Sequence, residues 1–290
     1  MLDYKLLEAL EMVALAGSFD GAARRLNLTQ SAVSQRIRQL EEKHGCVLLS
    51  RDPVRPTLAG ERLLAHVRQV RLLEAELQAG QGGETGDWVT LPIGVNADSL
   101  AVGLVEALAP TLAAERMLLD CVVDDEAYTL DLLKRGAVLG CIATQAAPVA
   151  GCAVMPLGTL NYLPVATPAF QQTYFAWGLS AQSLAAAPAA VFGHRDSLHR
   201  RWLREGFGLI EGAYPCHVIP DSNALFAAAT AGIAYAVAPL PQVNAVLQAG
   251  QLMPLGDALA VPLYWHHWAR QTPAAEQLAQ AVAAFAAGRF

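Results

Sequence analysis

The first 45 residues contain three stretches of apolar residues at helical spacing, with turn and capping residues between them. Apolar side chains that recur every three or four positions predict amphipathic helices. The predicted helices cover 5–16, 19–26 and 30–45. Gly17 and Gly45 are placed to end the first and third helices, and Ser18 and Thr29 to cap the second and third. Helix, helix, tight turn and helix is the order of a helix-turn-helix.

A short apolar stretch with two arginines and two prolines follows at 46–57, and it predicts a two-stranded wing. Thr57 then caps a long helix predicted at 58–78, whose apolar positions approximate a coiled-coil seam. Such a helix, with nothing beside it in a small domain, needs a partner. A second copy of itself is the simplest one, so the sequence predicts a homodimer, which further pairing would extend to a homotetramer.

The pattern changes after a glycine-rich segment at 79–87, which is predicted to be a hinge between domains. Strand and helix patterns then alternate, which favours a parallel sheet with helices on its faces. The first predicted elements are strands at 88–96, 118–125 and 137–144 and helices at 99–115 and 129–136. The predicted fold is α+β and multidomain: a winged helix-turn-helix at 1–57, the linker helix, and an α/β domain at 88–290.

Charge is distributed unevenly along the chain. The 290 residues are 54% hydrophobic and 16% charged, which provides core for two domains. The net charge is −6, yet ten of the 20 Lys+Arg lie between residues 21 and 71. A basic segment on an acidic protein is typical of a local contact with a polyanion, and a solvated charged surface is the alternative.

Several function classes find no support in the sequence. The five cysteines are scattered without a CxxC, which predicts reduced thiols in a cytoplasmic protein. Residues 1–17 lack the features of a signal peptide, and the longest apolar tract, 224–241, is interrupted, so no membrane span is predicted. No catalytic, dinucleotide-binding or phosphate-loop motif occurs. The missing motifs predict no enzyme and no cofactor. Adjacent His266 and His267 on a strand face opposite sides and cannot bind one ion together, so we expect no metal site.

The third helix carries the side chains that we expect to contact DNA. Small hydroxyl groups at its N-terminal end allow a helix to enter the major groove. Glutamine amides suit adenine edges, and arginine suits guanine or phosphate. Wing arginines and the residue that caps the linker helix are expected to hold the DNA backbone. The predicted DNA contacts are Thr29, Gln30, Ser31, Ser34, Gln35, Arg36, Arg38, Arg51, Arg55 and Thr57. The alternative is an ordinary amphipathic surface helix.

These residues resemble the winged helix-turn-helix of LysR-type transcriptional regulators. The likeness is carried by FDGAARRL (19–26), TQSAVS (29–34), IRQLE (37–41), LLSR (48–51) and PTLAG (56–60). Downstream, the chain is similar to the arginine- and lysine-responsive branch of that family. That second likeness is carried by VNADSLA (95–101), VVDDE (122–126), NYL (161–163), PCHVI (215–219) and LYWHHWA (263–269).

The resemblance implies a regulator that binds double-stranded DNA, senses a basic amino acid and activates an exporter gene, with RNA polymerase as a candidate partner. It also implies a two-lobed, periplasmic-binding-protein-like effector domain. Lobe I would be 88–161 with 268–290, and lobe II would be 162–267. The branch includes members described as inhibitors of replication initiation. An architectural DNA-binding protein without an effector and an enzyme fused to a DNA-binding head are the rival hypotheses.

Polar residues after the predicted strands are candidates to bind the effector in the cleft between the lobes. The candidates are Asn96, Asp98, Ser99, Asp124, Glu126, His194, Asp196 and Ser222. Ser99 and Ser222 open predicted helices and suit a carboxylate or amine, and carboxylates beside Asp124 suit a guanidinium or ammonium group. The alternatives are caps that serve only their own helices and a solvated acidic turn. Arg195 would pair with Asp196 or with a ligand carboxylate.

Overall fold

A computed structural model describes residues 3–79, 88–124, 129–193 and 196–290. The N-terminal region is a head of three helices with a two-stranded wing, followed by a long helix. Its elements are α1 Tyr4–Ala16, α2 Phe19–Leu26, α3 Gln30–His44, β1 Leu49–Arg51, β2 Val54–Pro56 and α4 Leu58–Ala79. The wing strands pair antiparallel, with Ser50 opposite Arg55. The predicted helix-turn-helix, wing and linker helix are therefore present.

The predicted helix-ending and capping residues act as expected. Gly17 and Gly45 lie in the left-handed region, with φ of 63° and 64°, directly after α1 and α3. The hydroxyl of Ser18 accepts a hydrogen bond from the Gly21 amide at 3.1 Å, and that of Thr29 accepts one from the Ala32 amide at 3.2 Å. These local contacts end and begin each helix where the apolar stripes can pack against each other.

The first half of α4 packs on its own chain along two faces. Leu64 and Val67 are buried in the core of the head. Gly60 lies so close to the wing that a Cβ there would be 2.1 Å from the carbonyl oxygen of Leu48. The expectation that this helix has nothing beside it is therefore wrong for its first half, and Val67 is not free for a seam between copies. Leu73, six residues further along α4, is 56% exposed.

The C-terminal region alternates strands and helices. Its elements are β3 Val89–Val95, α5 Ala97–Ala101, α6 Leu104–Ala114, β4 Met117–Val123, α7 Thr129–Lys134, β5 Gly140–Ala143, β6 Cys152–Ala166, α8 Pro168–Tyr174, α9 Ala181–Ala186, β7 Ala189–Val191, α10 Ser197–Phe207, β8 Cys216–Val218, α11 Ser222–Thr230, β9 Tyr235–Pro239, α12 Leu240–Gln248, β10 Met253–Pro254, β11 Leu259–Trp268 and α13 Pro273–Arg289. None of the helices in the described ranges is long and apolar enough to cross a membrane.

The described strands of this region form one mixed sheet in the order β4-β3-β5-β11-β6-β9-β7-β8, with β10 beside β6. β3 pairs parallel with β4 and β5, and β7 pairs parallel with β8 and β9, as the alternation of elements predicts. The long strands β6 and β11 pair antiparallel at the centre. An entirely parallel sheet is thus wrong, because the chain runs out along β6 and returns along β11. The division into lobes remains a prediction.

The helix predicted at 99–115 is two helices. α5 ends at Ala101, Gly103 adopts φ of 100°, and α6 begins at Leu104. A residue at that φ interrupts the helical hydrogen-bond ladder, and glycine adopts it without a steric penalty. The break allows Ser99 to be buried while α6 runs along the sheet and packs on α13.

A second face of α4 contacts the effector domain just after α7. Nη1 of Arg68 donates a hydrogen bond of 2.9 Å to the carbonyl oxygen of Gly136. A Cβ on Gly136 would lie 1.9 Å from the Cβ of Ala65, so the two backbones approach closely. Nε of Arg135 lies 3.7 Å from Oε2 of Glu61. The positions 61, 65 and 68 form one stripe of α4, which joins the DNA-binding head to the domain that contains the sheet.

Candidate DNA-binding surface and effector site

Helix α3 presents a polar face away from the head. Val33, Ile37 and Leu40 are buried in the head core. Ser31, Gln35 and Arg38 are spaced for the opposite face and are exposed. Gln30 is also exposed, and Ser34 is half-buried. The outward stripe of hydroxyl, amide and guanidinium groups has the chemistry that reads base edges and phosphates in a major groove.

The other predicted DNA residues divide into exposed and engaged groups. Arg51 and Arg55 are exposed on the wing. Thr57 donates a 2.7 Å hydrogen bond to the Val47 carbonyl oxygen and accepts one from the Gly60 amide, so it caps α4 and ties it to the wing. Arg36 is half-buried, with Nη1 3.5 Å from the carbonyl oxygen of Lys5. The exposed wing arginines are therefore better placed than Thr57 or Arg36 to bind phosphate.

A cavity of about 50 Å³ lies beyond the carboxyl ends of β3, β4 and β7. Ligands of open α/β sheets bind at this edge. Four predicted effector residues line it, namely Asn96, Asp98, Asp124 and Asp196. The other lining residues are Ala97, Tyr162, Phe192, Leu198, His199, Leu225 and Val237.

Asp98 connects three elements across this cavity. The hydroxyl of Ser222, at the start of α11, donates a hydrogen bond to its Oδ1. The hydroxyl of Tyr162, on β6, donates one of 2.9 Å to its Oδ2. Two residues far apart in sequence thus hold one carboxylate, and Ser222 belongs to the site through Asp98. Tyr162 was missed as a separate candidate, although the NYL segment that contains it contributed to the family resemblance.

Two further candidates act first as helix caps. Oδ1 of Asn96 accepts a hydrogen bond from the Ser99 amide at 3.3 Å. Asp196 accepts from the amides of His199 and Phe192, at 3.0 and 3.1 Å. Each carboxylate oxygen retains a second lone pair, so the capping role leaves Asp196 able to accept from a ligand.

The cavity is acidic. Three carboxyl groups line it, from Asp98, Asp124 and Asp196, whereas its lining within the described residues contains no lysine or arginine. Burial lowers the pKa of His199 to about 4, so this ring contributes no positive charge at neutral pH. Carboxyl groups that line a partly desolvated cavity have the chemistry to hold a cationic group.

Some polar atoms here are buried without a hydrogen-bond partner among the described residues. They include Nδ2 of Asn96, Oγ of Ser99 and both ring nitrogens of His199. Buried polar atoms in native folds are almost always paired, so unpaired ones at a cavity indicate groups that a ligand or water completes. The sequence analysis did not select His199. Its only signal is its position three residues after the capping Asp196, on the first turn of an amphipathic helix.

Two predicted effector residues, Glu126 and His194, lie outside the described residues, as does Arg195. Within the described ranges, no group of three or more His, Cys, Asp or Glu side chains is arranged to hold a metal ion. The described lining of the candidate effector site combines the carboxyl groups of Asp98, Asp124 and Asp196 with the Asn96 amide and the Tyr162 hydroxyl.

Comparisons with known proteins agree with both halves of this structure. The profile described as "Bacterial regulatory helix-turn-helix protein, lysR family" matches residues 4–61. The chain is 43% identical over 284 residues to the HTH-type transcriptional regulator ArgP of Aeromonas salmonicida, covering 96% of this chain and 95% of that protein. The crystal structure of ArgP from Mycobacterium tuberculosis superposes with a TM-score of 0.87 at 37% identity, covering 100% of this chain and 99% of that one.

Full-length LysG from Corynebacterium glutamicum with bound effector Arg is also similar, with a TM-score of 0.80 at 33% identity over 99% of both chains. These relatives match the head and the effector domain together, at identities that establish common descent over the full chain. Because the relatives are transcriptional regulators, the expectation that this chain is not an enzyme is confirmed. The chain belongs to the LysR family of bacterial helix-turn-helix regulatory proteins.

Proposed function

We propose that this protein is a cytoplasmic transcription regulator that responds to a basic amino acid, arginine or lysine. The amino acid changes either the affinity of the protein for DNA or the bend of the bound DNA. The proposal extends to the target, a gene for a basic amino-acid exporter. The observation that carries the effector assignment is that three carboxyl groups, those of Asp98, Asp124 and Asp196, line one cavity.

The ligand class follows from the two kinds of group in the site. The carboxylates favour a guanidinium or ammonium group. The Asn96 amide nitrogen, in the cavity lining, is buried and unpaired among the described residues, and it can donate to a carboxylate. A ligand with a cationic group and a carboxylate satisfies both sets. The LysG structure that carries arginine as its effector supports the same class.

The cavity is small for an amino acid, and its walls are held together by the Ser222–Asp98 hydrogen bond. An effector that enters must therefore exchange this internal hydrogen bond for its own contacts and shift the walls apart. Such a rearrangement gives the effector a differential affinity for two arrangements of the domain, which is the requirement for a ligand to change DNA binding.

On the DNA side, α3 supplies the base contacts through Ser31, Gln35 and Arg38, and the wing supplies backbone contacts through Arg51 and Arg55. Two copies, paired through the second half of α4, would place two heads on two half-sites. The exposed Leu73 supports this pairing, because it lies on the part of α4 beyond the head core.

The decisive experiment is calorimetric titration of the full-length protein with L-arginine, L-lysine, L-citrulline and L-glutamine. Micromolar binding of arginine or lysine is expected, with citrulline, the uncharged analogue of arginine, at least about tenfold weaker because it cannot pair with the carboxylates. Asp124→Asn should weaken arginine binding by a similar factor. Asp120→Asn, on the exposed side of β4, is the matched control and should leave binding unchanged.

Two outcomes would overturn the assignment. Equal binding of arginine and citrulline would remove the charge argument. Absence of binding by folded protein, together with DNA binding that ignores all four amino acids, would favour the architectural DNA-binding alternative or an inhibitor of replication initiation without effector response.

A further inference from the structure

His199 lies between the effector cavity and a cluster of aromatic rings. It belongs to the first turn of α10, is 1% exposed, and lines the cavity. On its other side its ring stacks on Tyr235, with centroids 5.5 Å apart and an interplanar angle of 23°. Trp202 and Tyr214 approach at 6.2 and 5.7 Å. One side of the imidazole is therefore enclosed by aromatic carbon, and the cavity is the open side.

Neither ring nitrogen of His199 has a hydrogen-bond partner among the described residues. The backbone amide of His199 is bound by Asp196, but the two carboxylate oxygens of Asp196 accept amide hydrogens and not the imidazole. A second fully buried histidine, His266, differs, since its Nε2 lies 2.6 Å from the Gln145 carbonyl oxygen and only its Nδ1 has no partner among the described residues. A buried polar group without a partner has an energetic cost, because its lost hydrogen bonds to water are not replaced. That cost makes His199 unlike an ordinary histidine of a core.

The ring is neutral at physiological pH, because burial outweighs the nearby charge of Asp196 and lowers its pKa to about 4. A neutral imidazole has one nitrogen that accepts and one that donates. It can therefore accept a hydrogen bond from a cationic N–H group without the repulsion that a lysine or arginine would add. The neighbouring carboxylates attract the cationic group through their charge, whereas a neutral acceptor at a fixed position sets the orientation of that group.

We propose that His199 is an effector-contacting residue: its unprotonated ring nitrogen accepts a hydrogen bond from an N–H group of the bound basic amino acid. This inference rests on the proposed function, and it adds a specificity-determining residue to the site. Tyr235 positions the ring by stacking on it, and Asp196 fixes the start of α10, from which the ring projects.

The proposal and a purely structural role predict different behaviour for His199→Leu. If the ring only fills the core, the substitution changes stability and leaves arginine affinity unaltered. If the ring binds the effector, the substitution removes polar atoms that are unpaired in the effector-free protein, so that protein keeps or gains thermal stability. Arginine affinity then falls by about tenfold or more, the loss of one hydrogen bond to a charged group.

The test is calorimetric titration of full-length wild type and variants with L-arginine, together with melting temperatures measured without ligand. His266→Leu is the matched control, because it also removes a buried histidine but breaks an existing hydrogen bond. It should lower the melting temperature and leave arginine affinity unchanged. His199→Met, an adaptable apolar side chain, repeats the test should the leucine variant fail to fold.

Wild-type affinity in His199→Leu or His199→Met would overturn the inference while the proposed function stands. Failure of the wild type itself to bind any basic amino acid would overturn the proposed function, and the inference with it. Weakened arginine binding in the His199 variants, with the His266 control unaffected, would establish His199 as part of the effector site.

Discussion

Arg68 of the linker helix and Gly136 of the effector domain are joined by a hydrogen bond of 2.9 Å from guanidinium to backbone carbonyl. Gly136 follows α7, and α7 begins at Thr129, shortly after the cavity residue Asp124. In the sequence, α7 therefore lies between the cavity residue Asp124 and Gly136, which contacts the helix that carries the DNA-binding head. A shift of β4 or α7 on effector binding would be transmitted directly to α4, because packed elements move as units.

Arg68→Ala should weaken the coupling between effector and DNA. Loss of one charged hydrogen bond removes about 1–3 kcal/mol from the contact between the two parts, which is the size of a typical coupling energy. We expect the ratio of operator affinities with and without arginine to fall by about tenfold, with arginine affinity itself little changed. Fluorescence anisotropy of labelled operator DNA measures this ratio. Arg62→Ala, exposed on another face of α4, is the control, and an equal loss there would contradict the assignment.

Gly136→Ala should force α4 away from the effector domain. The added Cβ would lie 1.9 Å from the Cβ of Ala65, and Gly136 has a φ of +63° that alanine tolerates poorly. We expect a lower melting temperature and a loss of coupling like that of Arg68→Ala. Adding Ala65→Gly should restore part of the stability by removing the 1.9 Å contact, whereas the 2.7 Å approach to the Cα of residue 65 and a backbone strain of about 1 kcal/mol remain. No recovery in the double variant would show that steric exclusion is not the cause.

Gln35→Ala should reduce discrimination between operator and random DNA by about 1–3 kcal/mol, because a bidentate amide contact to a base edge is lost. Arg55→Ala, on the wing, should instead weaken binding to all sequences. It should also reduce the slope of log affinity against log salt concentration by about one, because one phosphate contact is lost. Competition binding across a salt series separates the two effects. Gln39→Ala, also exposed on α3, controls for a general change in the helix. Unaltered discrimination in Gln35→Ala would refute its base-reading role.

Acid should destabilise this protein partly through His199. Its folded-state pKa is about 4, below the ordinary value of 6.5, so between these two values the unfolded chain binds more protons than the folded chain. The free energy of unfolding contributed by this group therefore falls as the pH drops from 6.5 towards 4, and it is fully present above that window. Urea unfolding across this range should show a smaller acid loss in His199→Leu than in wild type. An equal acid loss in the two proteins would contradict this contribution of His199.

The secondary structure of the DNA-binding head could be predicted from local sequence patterns alone. Its helices, their caps at Ser18 and Thr29, and the outward face of α3 depend on contacts within four residues, which periodicity and capping rules describe. The wing and the start of the linker helix at Thr57 are also local, since Leu49 pairs with Pro56 and Thr57 bonds to Val47 nearby in the sequence. The acidic character of the effector site was also visible, because Asp98, Asp124 and Asp196 lie at or just after the ends of predicted strands.

Contacts between side chains that are distant in the sequence could not be predicted and are known only from the tertiary structure. Ser222 reaches Asp98 across 124 positions of sequence, and Arg68 reaches Gly136 across 68. The burial of His199 without a partner depends on α10, β9 and the cavity edge packing together, and the antiparallel pair of β6 and β11 depends on where the chain crosses the sheet. Local rules carry no information on such pairs, since their energies come from desolvation and close packing between distant segments.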